Sequence, residues 1–234
     1  MNGLIDFHTH ILPGVDDGSR SPEMTLSMLR MEAEQGVEAV AATPHFYPQT
    51  DTPERFLERR HRAEEKLRDA MADQTGLPAV HMGAEVAFYR GMSESDALQQ
   101  LRLGVSRYVL VEMPAALWSD AHFEELRQIR HRQGLIPVIA HVERYLPTFG
   151  VNRIMGKLED CGAVIQANAE FFLHRASART AMRLLQEERI QLLGSDCHNT
   201  DSRPPNLGQA VSRIKARGGE ALFQSIITNG KKIF

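Results

Sequence analysis

Seven short apolar runs, each leading into a longer amphipathic stretch or into a turn before one, limit what this chain can fold into. They begin with Leu4-Ile5-Asp6-Phe7 and continue as Glu38 to Thr43, Ala79 to Glu85, Tyr108 to Glu112, Ile136 to His141, Val164 to Asn168 and Gln191 to Ser195. Apolar runs of this length read as strands of a covered sheet, and the 3.6-residue periodicity between them reads as helices crossing back over it. The first helix spans Pro22 to Gln35, with Ser21 as its N-cap and Gly36 as its stop. Strand and helix alternate with no Gly/Ser linker and no break in composition. The expectation is a single α/β domain over 1–234 with a parallel sheet, either a closed barrel or open and doubly wound.

Composition narrows the function. Hydrophobic residues make up 42% and charged residues 24% of the 234-residue chain, too apolar a balance for a disordered protein. A net charge of -3 offers no basic excess for gripping phosphate backbones, so nucleic acid is not an expected partner. No apolar stretch reaches the ~18 residues of a membrane span, and the start, Met1 to His8, lacks the basic and apolar regions of a targeting signal. A cytoplasmic protein without membrane insertion is expected. Cys161 and Cys197 are too few and too far apart for a disulfide framework. The charged helix after Thr52-Pro53, with Glu58/Arg62 and Glu64/Arg68 at i,i+4, reads as a solvated face. Met24, Met28 and Met31 read as core, and Gly230 to Phe234 as a frayed basic tail.

Against two cysteines stand ten histidines, and their positions carry the functional reading. The first strand runs into His8-Thr9-His10, the second leads to Thr43-Pro44-His45, and later strands end at Glu85, Glu112, His141 and Ser195-Asp196-Cys197-His198. In a parallel α/β fold these ends share one face, so the groups converge. His8 and His10, two residues apart on an extended segment, leave the same side of the strand. The turn Gly14 to Gly18 adds carboxylates, including Asp17. His61, His81, His122, His131 and His174 lack such placement and read as surface or packing residues.

A catalytic zinc needs about three protein ligands. His8, His10, Asp17, His45, Glu85, Glu112, His141, Asp196 and His198 offer nine side chains, enough for two or three metals. Imidazole and carboxylate without thiolate suit manganese, iron or zinc. Metals a few Å apart activate a bridging hydroxide and clamp the oxygens of a displacement at phosphorus, which points to phosphoester hydrolysis. Arg144 and Arg203 follow His141 and His198 closely and offer planar forks for a phosphate. The alternative for each is a structural ion pair, with Glu143 or Asp201.

The segments Asp6 to Gly18, Ala42-Thr43-Pro44-His45, Gly83-Ala84-Glu85, His141 to Tyr145 and Ser195 to Asn199 with Arg203-Pro204-Pro205 resemble, in family order, the manganese-dependent bacterial tyrosine phosphatases of the polymerase-and-histidinol-phosphatase (PHP) superfamily, associated with capsule and exopolysaccharide export. The resemblance implies a distorted (β/α)7 TIM-like barrel carrying three divalent metals, manganese foremost. It implies His8, His10, Glu85 and Asp196 as ligands of one metal, with Glu85 bridging to a second held by Glu112 and His141. Asp17, His45 and His198 would hold the third, and Arg144 and Arg203 would bind phosphate. The implied reaction is attack of a metal-bridging hydroxide on phosphotyrosine, the substrate being a protein such as the tail of a bacterial tyrosine autokinase. Phe46, Tyr47, Phe88 and Tyr89 follow site strands and are candidates to wall the substrate ring, with core packing as the alternative.

Three other readings compete. Cys197 and Arg203 match the Cys-x5-Arg spacing of cysteine-dependent phosphatases, but the intervening residues have no glycine and Pro204-Pro205 removes two amides. A small-molecule phosphatase of the same superfamily, such as one acting on histidinol phosphate, would share every ligand. A catalytically dead module binding phosphotyrosine tails would have no need of them.

Overall fold

The computed structural model describes residues 3–234; Met1 and Asn2, where the segment read for targeting signals begins, lie outside the described residues. The strands are β1 (Leu4–Thr9), β2 (Val37–Ala42), β3 (His45–Phe46), β4 (Ala79–Met82), β5 (Glu85–Ala87), β6 (Tyr108–Glu112), β7 (Ile136–Ile139), β8 (Val164–Asn168) and β9 (Leu192–Gly194). All pair in parallel, in the orders β1-β2-β4 and β3-β5-β6-β7-β8-β9. A parallel bridge joins Thr9, the last residue of β1, to Cys197 beyond β9, with the Asp196 N–H donating to the His8 carbonyl at 2.8 Å and the His10 N–H to the Cys197 carbonyl at 2.9 Å. The result is an α/β fold whose parallel sheet curls into a half-barrel.

Each of the seven apolar runs contains a strand, but the third is divided. Its first half pairs with β2, and from Glu85 onward it lies between β3 and β6. The step follows β2 and β3, which Thr43-Pro44 separates, since proline has no N–H for the ladder. The Gly83 N–H donates to the Ala42 carbonyl and the Glu85 N–H to the Pro44 carbonyl, so the two chains step together.

Helices α1 (Pro22–Glu34), α2 (Pro53–Met71), α3 (Leu98–Leu101), α4 (Asp120–Gln133), α5 (Leu146–Phe149), α6 (Val151–Asp160), α7 (Ala169–Leu173), α8 (Ala178–Gln186) and α9 (Leu207–Gly230) fill the connections. The Ser21 hydroxyl caps α1 by accepting from the Met24 N–H, and Gly36, at φ +80°, lies just beyond its end. Met28 and Leu29 are buried, and the Glu58–Arg62 and Glu64–Arg68 pairs lie on the outside of α2. Arg60 departs from that solvated face by donating to the Gly83 and Gln100 carbonyls at 2.8 and 2.9 Å.

Alternation along the strands separates two apolar layers. Val109 and Val111 of β6 join the large cluster beneath the helices, while Leu110 between them packs with Ile5, Phe7, Ala39, Ala41 and Val138 inside the curl. Ile233 belongs to this inner cluster too, and Phe234 stacks on Phe7 at 5.4 Å and on His81 at 4.0 Å. The chain end is therefore packed, correcting the expectation of a frayed tail. Its two apolar residues outweigh the lysine pair, which stays at the surface.

Alternation is broken once where it matters. Asp6 pairs with Val40 but Thr9 with Ala42, so three steps along β1 face two along β2, a bulge. Without it His8 would take the side of Asp6; with it His8 follows Phe7 toward the inner side, and His10 joins it. Phe234→Ala should lower stability by about 2 kcal/mol, below the cost for a fully buried ring because Phe234 is half-buried. Urea unfolding at fixed metal concentration measures this, and a shift under about 0.5 kcal/mol, as for a plain surface substitution, would show the ring does not close the inner layer.

Candidate metal centre

The bulge brings the His8 and His10 Nε2 atoms to 3.1 Å from one another. Glu85 at the start of β5 lies within 3.5 Å of both, and the Asp196 Oδ1 within 3.6 Å. The His141 Nε2 lies 2.8 Å from the Glu85 Oε1, and the His45 Nδ1 2.7 Å from the Oε2. Glu112 is 3.6 Å from His141. The exposed Asp17 reaches the Nε2 atoms of His45 and His198 at 3.5 and 3.4 Å. Four groups have ligand atoms within 4.8 Å of one another: His10, Asp17, His45 and His198; His8, Glu85 and His141; His8, His10 and Asp196; and His45, Glu85 and Glu112. Together they contain all nine ligand candidates.

Four of the five rings are fixed from behind. The Nδ1 of His10 meets the Asp16 Oδ2 at 2.7 Å, that of His8 the Gln166 Oε1 at 3.3 Å, that of His141 the Tyr145 hydroxyl at 3.4 Å, and that of His198 the Asp196 carbonyl at 2.9 Å. In each case Nε2 is left for the cluster, the arrangement by which outer partners orient metal-ligating histidines. The Gln166 Oε1 also accepts the His141 N–H at 2.7 Å, so one amide serves two candidate ligands. Asp6 accepts the N–H groups of His8 and Ser195, tying β1 to the loop after β9. Burial raises both Asp6 and its neighbour Glu32 above ordinary carboxyl values.

Sequence reasoning missed these supporting residues. Asp16 was readable only as one of several carboxylates in its turn; it is buried and orients, while Asp17 beside it faces the cluster. Gln166 and Asn168, two apart in an otherwise apolar strand, were the available signal for the layer behind the ligands. Asn168 donates to the Asp196 Oδ2 at 3.0 Å.

Backbone conformation marks the same place. Among the described residues, three that are not glycine have positive φ, and two are the ligand candidates His141 (φ 34°) and Asp196 (φ 55°). Such strain costs roughly 1 to 3 kcal/mol per residue and persists where the surroundings over-determine it.

The electrostatics follow from burial and pairing. Burial opposes charge on His10, but Asp16 and Asp196 outweigh it and raise the ring to about 10. Burial likewise works against Asp16, yet His10 brings it down to about 2. Glu85 is held well below the usual carboxylate range, its burial overcome by His8, His141 and His45. Burial and the neighbouring charges of His10 and Arg203 push His198 down to about 4. Burial raises Glu143 to about 7.

Arg144 and Arg203 both pair with Asp196, at 2.7 and 2.9 Å, in place of their sequence neighbours Glu143 and Asp201. Both are partly exposed at the edge of the cluster. Cys197 is fully buried and its thiol is raised well above its ordinary value by burial and by Glu32, the opposite of a poised nucleophile. Of the four aromatic residues suggested as ring walls, Phe46 packs on Phe56 and Tyr89 against the outer core, as the packing alternative had it. Tyr47 stacks on His45 and Phe88 on His122, and these two line a cleft with Glu112 and Arg144.

The donor set fits divalent metal. The buried Glu85 Oε2, His45 Nδ1 and His198 Nε2 have no hydrogen-bond partner, and the 2.7 Å approach of the first two lacks hydrogen-bond geometry. Buried lone pairs turned toward one another are costly unless a cation takes them. Oxygen and imidazole donors without thiolate match manganese, iron or zinc.

A parallel α/β sheet curled into a half-barrel, with a buried imidazole–carboxylate cluster at the carboxyl ends of its strands, defines an α/β protein with a candidate metal site. The chain belongs to the capsular polysaccharide synthesis family CpsB/CapC, whose pattern it matches over residues 4–234. It is 30% identical to the tyrosine-protein phosphatase CpsB of Streptococcus pneumoniae, the alignment covering 98% of each chain. It is 27% identical to the tyrosine-protein phosphatase YwqE of Bacillus subtilis, over 97% of this chain and 90% of that one. Its fold superposes with a TM-score of 0.86 on a chain from the crystal structures of YwqE and CpsB, described as unique metal-dependent tyrosine phosphatases, at 24% identity and covering 98% and 94% of the two chains.

The His10–Asp16 pair gives a test in chelated protein. Because His10 is raised from 6.5 to about 10, its stabilising contribution is complete below pH 6.5 and is lost as pH climbs through 10. Stability should therefore fall between about pH 7 and 9, and Asp16→Asn, which removes the partner charge, should flatten that fall. Urea unfolding across this range measures both slopes, and equal slopes would show that the pair does not hold the proton.

Proposed function

We propose that this chain is a metal-dependent phosphatase acting on phosphotyrosine in a protein, with a bacterial tyrosine autokinase of polysaccharide export as the candidate substrate. The observation that carries the reading is the convergence of the His8, His10 and His141 Nε2 atoms, each fixed through Nδ1, on Glu85 and Asp196 beside two arginines. The curated relatives' names support the same activity.

The nine ligand candidates would hold three metals, manganese foremost. His8, His10, Glu85 and Asp196 would hold one, Glu85, Glu112 and His141 a second, and Asp17, His45 and His198 a third. When bound, divalent metals there supply charge neutralisation at the phosphoryl oxygens and a water acidic enough to act as hydroxide near neutral pH. Arg144 and Arg203 orient the phosphate by charge-assisted hydrogen bonds and stabilise the charge that develops on it. A tyrosine leaving group, with a free pKa of about 10, does not require a strong general acid. The seven-unit barrel, a single domain over 1–234 and a cytoplasmic location complete the reading. The family match over 4–234 supports the extent. Among the described residues no helix is long and apolar enough to cross a membrane.

The test is turnover of a phosphotyrosine peptide and of histidinol phosphate by manganese-loaded and chelated protein. The peptide should be the better substrate, with turnover lost on EDTA treatment and restored by Mn²⁺. Preference for histidinol phosphate would move the protein to the small-molecule branch, and metal-independent turnover would end the metal reading. Arg144→Ala should cut turnover by about a hundredfold or more with metal content retained. His141→Ala should lose metal as well as turnover, and near-normal activity in both variants would sink the site assignment.

A further inference from the structure

A cavity of about 620 Å³ opens beside the cluster on the side of β8 and β9. Arg144, Asp196 and Arg203 border it at one end, and Leu146, Val151 and Phe171 line it as well. These apolar residues come from α5, α6 and α7, the elements that follow β7 and β8 at the carboxyl end of the sheet, where such folds bind ligands. The cleft that Tyr47 and Phe88 line is smaller, about 450 Å³, and is bordered by Arg144 without Arg203. Its aromatic rings are already stacked on His45 and His122.

A phosphate held by both arginines would lie against the larger cleft, which both of them line. The volume lies in the range of pockets that enclose a whole ligand, exceeding the need of one ring and leaving space for adjoining peptide. Apolar side chains in a mixed lining that also holds the two arginines suit an aryl phosphate, the anion on the guanidiniums and the ring against Leu146, Val151 and Phe171.

We propose that this cleft receives the tyrosyl ring and adjoining peptide, and that Phe171, Leu146 and Val151 set the preference for aryl over bare phosphate. The inference rests on Arg144 and Arg203 being the phosphate-binding pair. Binding of phenylphosphonate and of inorganic phosphate to the manganese-loaded protein, measured by calorimetry, tests it without requiring turnover. Phenylphosphonate should bind about tenfold tighter than phosphate, as expected for burying a ring. Val151→Trp, which fills the cleft from a half-buried position, and Phe171→Ala should each bring the two affinities within about twofold of one another through the loss of that ring burial, leaving phosphate affinity unchanged. A preference that survives both substitutions, or that Tyr47→Ala abolishes instead, overturns the assignment of the cleft. Phosphate affinity that is indifferent to Arg144→Ala and Arg203→Ala overturns the arginine reading and the inference with it, an outcome distinct from failure of the cleft alone.

Discussion

Glu85 is 1% exposed, and its oxygens lie between 2.7 and 3.5 Å from the ring nitrogens of His8, His10, His45 and His141. Removing a carboxylate from water costs several kcal/mol, and the burial is sustained only where positive charge surrounds it. The rings of His8 and His10, raised by the carboxylates around them, meet that need, with His45 and His141 beside them, so the curl of the sheet and the charge balance of its open end are one problem. Asp196 repeats the arrangement at the seam of the half-barrel, where three imidazoles and two guanidiniums converge on it.

Most of this was legible because the chemistry sits at strand ends, and strand ends are where apolar runs stop. Eight of the ligand candidates could be read at or just past the ends of the runs and Asp17 in the turn after the first, and the geometry gathers all nine. What lies behind them was not legible. Gln166 sits inside an apolar strand and serves His8 and His141 across long stretches of chain, a relation no local pattern records. The split of the third run at Gly83-Ala84 depends on register with β2 and β3, which sequence alone does not fix. The tail was misread because its lysines were weighed before Ile233 and Phe234, whose apolar surface decides where the chain goes.

The strained backbone at His141 and Asp196 belongs with these observations. Each lies two residues past the end of a strand, β7 or β9, and the chain turns there through left-handed geometry. The His141 N–H bond to Gln166 and the Asp196 N–H bond to His8 hold the turns in place, the second of them across the seam between β1 and the loop after β9.

Phe234 gives the fold a direction. With the inner layer filled by Phe7, Leu110, Val138 and Ile233, and the last ring laid across Phe7, the half-barrel is a cup with a solid base rather than a tube. Anything that reaches the cluster enters by the rim and leaves by the same rim. In the phosphate-binding role proposed for Arg144 and Arg203, a released anion would have to break its hold on them before the next substrate took its place, so the firmness of that grip would also set how readily the site clears itself.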